Sequence, residues 1–174
     1  MRLRYEIMIE DLLAFTLHLH ETSPVLRRTR RAGVIGFAAF IFGTCLIAHE
    51  LFGEPIVFLF GAGFAGLFAV LHPQLYRRNV KRLSTRLYAE GQNKGVLGQH
   101  LAELRDNGLS DTTDFAERTV FWKGIERIET IPGHTLVYLS AMSAQVIPEN
   151  SVTEGSYPAF VDELQRRWHQ ARGD

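Results

Sequence analysis

The sequence predicts an α+β membrane protein, in which a two-helix transmembrane hairpin precedes a small curved β-sheet capped by a C-terminal helix. Three features predict it: two long apolar runs, a series of short strand-like segments after residue 90, and an amphipathic segment near the end of the chain. The apolar runs, 32–48 and 55–71, have 17 residues each and contain no charged residue. A spanning helix needs about 20 apolar residues, so both runs are long enough once apolar neighbours are included.

A buried helical hairpin inside a soluble protein is the alternative interpretation of these runs. Apolar runs of about 10–14 residues usually indicate such a core helix. Both runs here are longer, and a chain of 174 residues leaves little protein to bury them. The sequence therefore favours the membrane hairpin.

The basic residues that flank the hairpin predict its orientation. Four arginines precede the first run and five basic residues follow the second, whereas the connection 49–54 has neither Lys nor Arg. Loops rich in Lys and Arg stay on the cytoplasmic side of a membrane. We therefore expect a multi-pass protein of the plasma membrane with both termini in the cytoplasm, and with membrane lipids as its immediate partners.

The distribution of charge argues against a nucleic-acid partner. Residues 88–174 contain eight basic and thirteen acidic residues. Nucleic-acid binding requires a basic face that neutralises phosphates. The C-terminal part of the chain is therefore expected not to bind nucleic acid.

Small residues in the second apolar run recur at a spacing of four. This spacing lets two helix backbones approach closely in a membrane. The first run offers small residues for intrachain packing, and self-association through the same faces is the alternative. The residues concerned are Gly61, Ala65, Ala69, Ala62 and Gly66 in the second run, and Ala32, Gly36, Ala39 and Gly43 in the first.

The N-terminal segment, residues 1–31, begins with a strand pattern. Apolar residues alternate with polar ones from Leu3 to Ile9, which is typical of a half-buried strand. A helix follows from Glu10-Asp11 and ends at Ser23-Pro24. Because an isolated strand is not stable, we expect this segment to pack on the C-terminal domain.

The hairpin occupies residues 32–71, with helices at about 32–52 and 55–72. A basic juxtamembrane helix follows at 73–89, with a break near Pro73.

Residues 90–174 are predicted to form about six short strands, one of them starting at Thr119 and including Trp122. The last segment, 157–171, places Phe160, Leu164 and Trp168 on one helix face. Both tryptophans are therefore expected to lie in the core of this domain.

Several short motifs, in this order along the chain, carry a resemblance to a known family. They are Tyr5, Glu10-Asp11, His18 to Arg28, Pro73, Arg77-Arg78, Tyr88 to His100, Gly108-Leu109, Trp122 to Ile128 and Val146-Ile147-Pro148. The chain resembles the YcxB-like family of small membrane proteins over nearly its whole length. The resemblance implies a C-terminal domain similar to pleckstrin-homology-like folds, in which one helix closes a bent sheet, and it implies no activity.

Candidate chemistry is sparse. His18 and His20 lie two apart on a helix and point to different faces, and His100 and His134 have no neighbouring ligand motif, so we predict structural histidines and no metal site. No catalytic residue and no cofactor site is predicted. The segment 90–95 lacks the complete phosphate-loop spacing, but Asn93, Lys94 and Gly95 are candidate contacts for a ligand or a lipid headgroup.

Two classes of function remain. The first is a non-enzymatic binding or regulatory module anchored in the membrane, whose sheet domain binds a protein, a peptide or a headgroup. The second is a membrane enzyme or transport-associated subunit that acts on lipid or solute. The second class requires polar residues within the spans, where the sequence offers Thr44 and Cys45. The sequence therefore favours a binding module.

Overall fold

The structure is a computed structural model and describes residues 1–90 and 95–173. The chain divides into two compact units. One consists of Met1–Thr16 together with Thr85–Asp174, and we call it the α+β unit. The other is Leu17–Ser84, the hairpin unit.

The elements follow one another along the chain with short connections. They are β1 (Arg2–Ile7), α1 (Ile9–Thr22), α2 (Pro24–Phe52), α3 (Ile56–Glu90), β2 (Gly98–Arg105), β3 (Gly108–Thr112), β4 (Glu117–Phe121), a 3₁₀ turn (Trp122–Gly124), β5 (Arg127–Ile131), β6 (His134–Ser140), β7 (Ser143–Pro148), β8 (Val152–Glu154) and α4 (Tyr157–Arg172). This order confirms the predicted α+β class with two long apolar helices, a sheet-rich region and a C-terminal helix.

Both long helices of the hairpin unit could cross a membrane by length and composition. Each contains an 18-residue window with a mean hydropathy of 1.9, and no residue of either window is buried inside the structure. A core hairpin of a soluble protein would be mostly buried, so this exposure supports a membrane-associated protein.

Local residue chemistry sets the ends of α2. The Ser23 hydroxyl accepts a hydrogen bond from the N–H of Leu26 at 3.5 Å, and Pro24 occupies the first turn, where its missing N–H costs nothing. At the other end Gly53 adopts a φ of 70°, and its N–H bonds to the carbonyl of His49 at 2.8 Å. A left-handed glycine satisfies the last carbonyls of a helix in this way.

The break predicted near Pro73 is wrong, because α3 continues through this residue to Glu90. A proline removes one backbone hydrogen bond and can bend a helix. Helices in membranes tolerate this loss more readily than helices in water. The basic segment predicted as a separate juxtamembrane helix is thus the C-terminal part of α3.

The small residues of the hairpin pack differently from one another. A Cβ atom added to Gly61 would clash with the Sγ of Cys45 on α2, and this thiol lies 3.4 Å from the carbonyl oxygen of Val57. By contrast, Gly36, Gly43 and Gly66 have open space around the position of a Cβ atom. Gly61 therefore lies directly against α2, and the predicted intrachain role of the other three glycines is wrong.

The α+β unit contains two antiparallel sheets. The five-stranded sheet has the order β4-β3-β2-β1-β8, and the three-stranded sheet has the order β5-β6-β7. The N-terminal strand β1 therefore lies inside a sheet whose other strands all follow the hairpin. Its buried residues Leu3, Tyr5 and Ile7 join the core, as do Phe160 and Leu164 of α4.

The strand β1 ends at Ile7, two residues earlier than predicted, because α1 begins at Ile9. The Asp11 carboxylate accepts a hydrogen bond from the N–H of Met8 at 2.8 Å. Met8 is the N-cap residue of α1, and an acidic side chain three residues later that accepts from the N-cap N–H stabilises a helix start. This contact therefore stops the strand before Ile9.

Trp122 lies in the 3₁₀ turn that follows β4, so its predicted place in a strand is wrong. Its indole N–H donates to the carbonyl oxygen of Asp106 at 3.1 Å, and its backbone N–H donates to that of Asn107 at 3.3 Å. These bonds tie the 3₁₀ turn to the β2–β3 turn. Trp122 is 6% exposed and belongs to the core, as predicted for its side chain.

Candidate functional site

The candidate site lies on the inner face of the five-stranded sheet, which we define as the face that carries Leu3, Tyr5 and Ile7. Tyr5 lies opposite His100 across the β1–β2 pairing. Asp111 of β3 lies opposite Ala102 of β2 on one side and opposite Arg118 of β4 on the other. Because side chains alternate along strands, the pairing places His100, Asp111 and Arg118 on this inner face.

His100 is 5% exposed and makes two polar contacts. Its Nδ1 lies 2.9 Å from Oδ2 of Asp111, and its Nε2 lies 3.1 Å from the carbonyl oxygen of Val96. The two ring nitrogens thus contact one carboxylate oxygen of β3 and one backbone carbonyl oxygen. These contacts hold the Asp111 carboxylate beside the imidazole.

Tyr5 is the second donor to Asp111. Its hydroxyl lies 3.4 Å from Oδ1 of the carboxylate, it accepts a hydrogen bond from Nε2 of Gln145 at 3.3 Å, and its ring stacks on His100 with centroids 5.6 Å apart. Burial, followed by the negative charge of Asp111, raises the pKa of the Tyr5 hydroxyl well above its ordinary value. The phenol is thus neutral at physiological pH and able to donate.

Arg118 lies directly opposite Asp111, yet the two do not form an ion pair. The carboxylate is occupied by His100 and Tyr5, and among the described residues Arg118 has no ion-pair or hydrogen-bond partner. On the other face of the same sheet, Arg105 bonds to both Glu103 and Glu117, which shows the ordinary pairing of exposed charges. The pairing within the site therefore leaves one guanidinium available for a ligand.

A cleft of about 330 Å³ opens above these residues, and we call it the His100 cleft. Its floor is the inner face just described, and one wall is the strand β7. The lining residues are Ile7, Leu12, Gly95, Val96, His100, Asp111, Thr113, Ala116, Arg118, Ser143, Ala144, Gln145 and Val146. Its volume lies at the small end of ligand sites, which span about 300–1,000 Å³.

The predicted ligand segment meets this cleft at one residue. Gly95 is part of the lining, whereas Asn93 and Lys94 lie outside the described residues. Their predicted ligand contact stays a prediction.

A second histidine–aspartate pair lies elsewhere in the α+β unit. The Nε2 of His134 lies 2.8 Å from Oδ1 of Asp11, and its Nδ1 lies 3.2 Å from the carbonyl oxygen of Pro132. Asp11 also caps α1, so this pair joins the start of α1 to the β5–β6 turn. We interpret it as structural, since neither residue lines the His100 cleft.

Within residues 1–90 and 95–173, no group of three or more His, Cys, Asp or Glu side chains is placed to hold a metal ion. The polar groups of the cleft are hydrogen-bond donors and acceptors around one unpaired guanidinium. Such a set can recognise and orient an anionic group.

Sequence reasoning did not single out Asp111, Arg118 or Gln145. The strand patterns contain a usable signal, since His100, Asp111 and Arg118 each fall on the inner position of a short strand. Their meeting depends, however, on the register of three strands, which no local pattern specifies.

Residues 104–164 match the model of the YcxB-like protein family. Over these residues the match confirms the resemblance found in the sequence, and it includes Asp111, Arg118 and the strand β7. Comparisons with curated proteins and with solved structures gave no significant match.

Proposed function

We propose that this chain is a membrane-anchored binding protein whose α+β unit takes the anionic group of a ligand on Arg118 in the His100 cleft. The observation that carries the proposal is the engagement of Asp111 by His100 and Tyr5, which leaves the opposing guanidinium unpaired among the described residues. Arginine binds carboxylate and phosphate groups through two parallel hydrogen bonds, which makes it well suited to such a task.

The charge of the cleft differs from the charge of the unit around it. The α+β unit contains eleven basic and sixteen acidic residues, a net charge of −5. In the cleft, His100 and Tyr5 contact the Asp111 carboxylate, and the Arg118 guanidinium contributes a positive charge that no other described residue pairs. An anion is therefore attracted to this position and repelled by most of the remaining surface, which supports selective binding.

The proposal includes the placement of the protein. The two apolar helices and their basic flanks support a hairpin in the plasma membrane with both termini in the cytoplasm. The two sheets and the single C-terminal helix support a pleckstrin-homology-like fold for the α+β unit. The hairpin would thus hold a cytoplasmic binding unit at the membrane.

We predict that Glu54, between α2 and α3, is outside the cell and that Asp106, in the β2–β3 turn, is cytoplasmic. In a chain with Cys45→Ser, the single-cysteine variant Glu54→Cys should react with a membrane-impermeant maleimide in intact cells. The variant Asp106→Cys should react after the cells are permeabilised. The reverse pattern would contradict the proposed orientation.

Arg118→Gln should abolish anion binding. With the full chain in phosphatidylcholine nanodiscs, inorganic phosphate should raise the unfolding midpoint of the α+β unit above its value in chloride of equal ionic strength. A ligand at a hundredfold excess over its Kd stabilises a protein by about 2.7 kcal/mol. Fluorescence of Trp122 and Trp168 reports on this unit, because both tryptophans belong to it.

Lys123→Gln is the matched control, since Lys123 is an exposed cation of the same unit that does not line the cleft. This variant should keep the response to phosphate. If phosphate raised the unfolding midpoint equally in the natural chain, in Arg118→Gln and in Lys123→Gln, the effect would be non-specific stabilisation by salt. That result would refute the anion site.

A further inference from the structure

The strand β7 presents its backbone edge to the His100 cleft. Four consecutive residues of this strand, Ser143 to Val146, line the cleft. Side chains of a strand alternate between two faces, so consecutive residues share one wall when the edge of the strand forms that wall. β7 is an edge strand, which pairs with β6 on one side.

An unpaired strand edge is a template for the addition of another strand. Its backbone N–H and C=O groups bond to an extended peptide, and the neighbouring surface selects the peptide's side chains. Within the described residues β7 has no strand on its second side. The cleft thus offers backbone pairing along one wall and an unpaired arginine on its floor.

Two exposed apolar side chains lie beside the cleft. Phe115 is 64% exposed and sits between Thr113 and Ala116, which line the cleft, and Met142 is 72% exposed and directly precedes Ser143.

The loop that carries Phe115 is ordered by its own hydrogen bonds. The Thr113 hydroxyl accepts from the N–H groups of Phe115 at 3.3 Å and Ala116 at 3.0 Å. The N–H of Thr113 donates to the carbonyl oxygen of Ala116 at 2.8 Å. The backbone on both sides of Phe115 is therefore fixed next to the cleft.

We infer that the His100 cleft binds an extended peptide segment of a partner protein, which adds a strand to β7 and places a carboxylate on Arg118. The inference rests on the proposed function, in which Arg118 takes the anionic group. Phe115 and Met142 contact apolar side chains of the same segment outside the cleft.

The charge of the α+β unit favours a protein partner over the bilayer surface. A unit with a net charge of −5 is repelled by an anionic bilayer.

The charge of the unit also favours an acidic peptide over a second copy of the chain. Two α+β units would bring two net negative charges together, whereas a short segment with one carboxylate meets the local positive charge of Arg118. A carboxylate directed at an arginine also fixes the register of an added strand.

Selection from a displayed library of random linear peptides tests the inference. The target is the full chain in phosphatidylcholine nanodiscs. Peptides selected on the natural chain should carry Asp or Glu at one fixed position among alternating apolar residues. Selection on Arg118→Glu should replace that acidic residue by Lys or Arg, whereas selection on Lys123→Glu should leave it unchanged.

Backbone methylation of one selected peptide then tests strand addition. A strand bonded along one edge directs alternate N–H groups to its partner, so N-methylation at every second position should weaken binding by about tenfold or more, and methylation at the positions between should be tolerated. Phe115→Ser should weaken binding as well, with the fold retained.

Three results would overturn the inference. They are the absence of enriched peptides, an acidic preference that survives Arg118→Glu, and N-methyl effects without alternation. A peptide signal that disappears when phosphatidylglycerol is added to the nanodiscs would assign the cleft to lipid instead. Stabilisation by phosphate that depends on Arg118 would still uphold the anion site in each of these cases.

Discussion

Deletion of residues 1–9 is expected to unfold the α+β unit, although these residues precede the transmembrane hairpin in the chain. The deletion removes β1, which pairs with β2 over six residue pairs and with β8 on its other side. It also removes Leu3 and Tyr5, which are completely buried, and Ile7, which is 5% exposed. Burial of each such side chain contributes about 1.5–3 kcal/mol, and a domain of this size has about 5–15 kcal/mol in total.

Limited proteolysis of the full chain in nanodiscs measures this effect. The region from β2 to α4 should resist protease in the natural protein and should be cut within its strands after the deletion. The double variant Arg2→Ala, Arg4→Ala is the control. It removes the exposed ion pairs of Arg2 with Glu103 and of Arg4 with Glu154 and keeps the strand. Exposed pairs contribute about 0–1 kcal/mol each, so this control should stay resistant. Unchanged resistance after the deletion would show that β2 to α4 fold without β1.

Local sequence patterns predict the elements of this fold better than their partners. The alternation from Leu3 onward predicts a strand, and the structure places that strand between β2 and β8, whose residues are more than ninety positions away. The alternation of side chains indicates a buried face but carries no information about which distant strand pairs with it.

Two local errors have physical causes that a pattern does not contain. The pattern extends β1 to Ile9, but the bond between the N–H of Met8 and the Asp11 carboxylate starts α1 there. The apolar run before Trp122 predicts a strand, but two bonds to the β2–β3 turn draw this residue into a 3₁₀ turn. The short strand β8 has three residues, too few to show an alternation.

The candidate site was the least predictable part of the molecule. The composition of the segment 90–95, with its glycines and its lysine, predicted a ligand contact there. Of the three predicted contact residues, Gly95 is described by the structure, and it lines the cleft. The sequence around Arg118 contains no pattern that predicts ligand binding, since an arginine in a short strand is ordinarily a solvated or paired charge. Arg118 is left unpaired among the described residues because His100 and Tyr5, which lie on other strands, bind the Asp111 carboxylate. That arrangement depends on the tertiary structure.

Substitution of Trp122 by Ala is expected to lower the free energy of unfolding of the α+β unit by about 3–5 kcal/mol, the usual cost of removing a large buried aromatic side chain. Trp122 is 6% exposed, and its indole N–H bonds to the β2–β3 turn. Trp168→Ala should act in the same direction with a smaller effect, because Trp168 is partly buried and bonds to the carbonyl oxygen of Ile125 at 3.0 Å.

Denaturant unfolding of the full chain in nanodiscs, followed by the fluorescence of the remaining tryptophan, measures both effects. Trp122→Phe is the matched control, because it keeps an aromatic ring in the core and removes the hydrogen bond, whose net contribution is about 0.5–1.5 kcal/mol. Neither tryptophan lines the His100 cleft, so each variant should bind phosphate with unchanged affinity at temperatures where it remains folded. A Trp168→Ala variant with an unchanged unfolding midpoint and lost ligand binding would instead place Trp168 on a recognition surface.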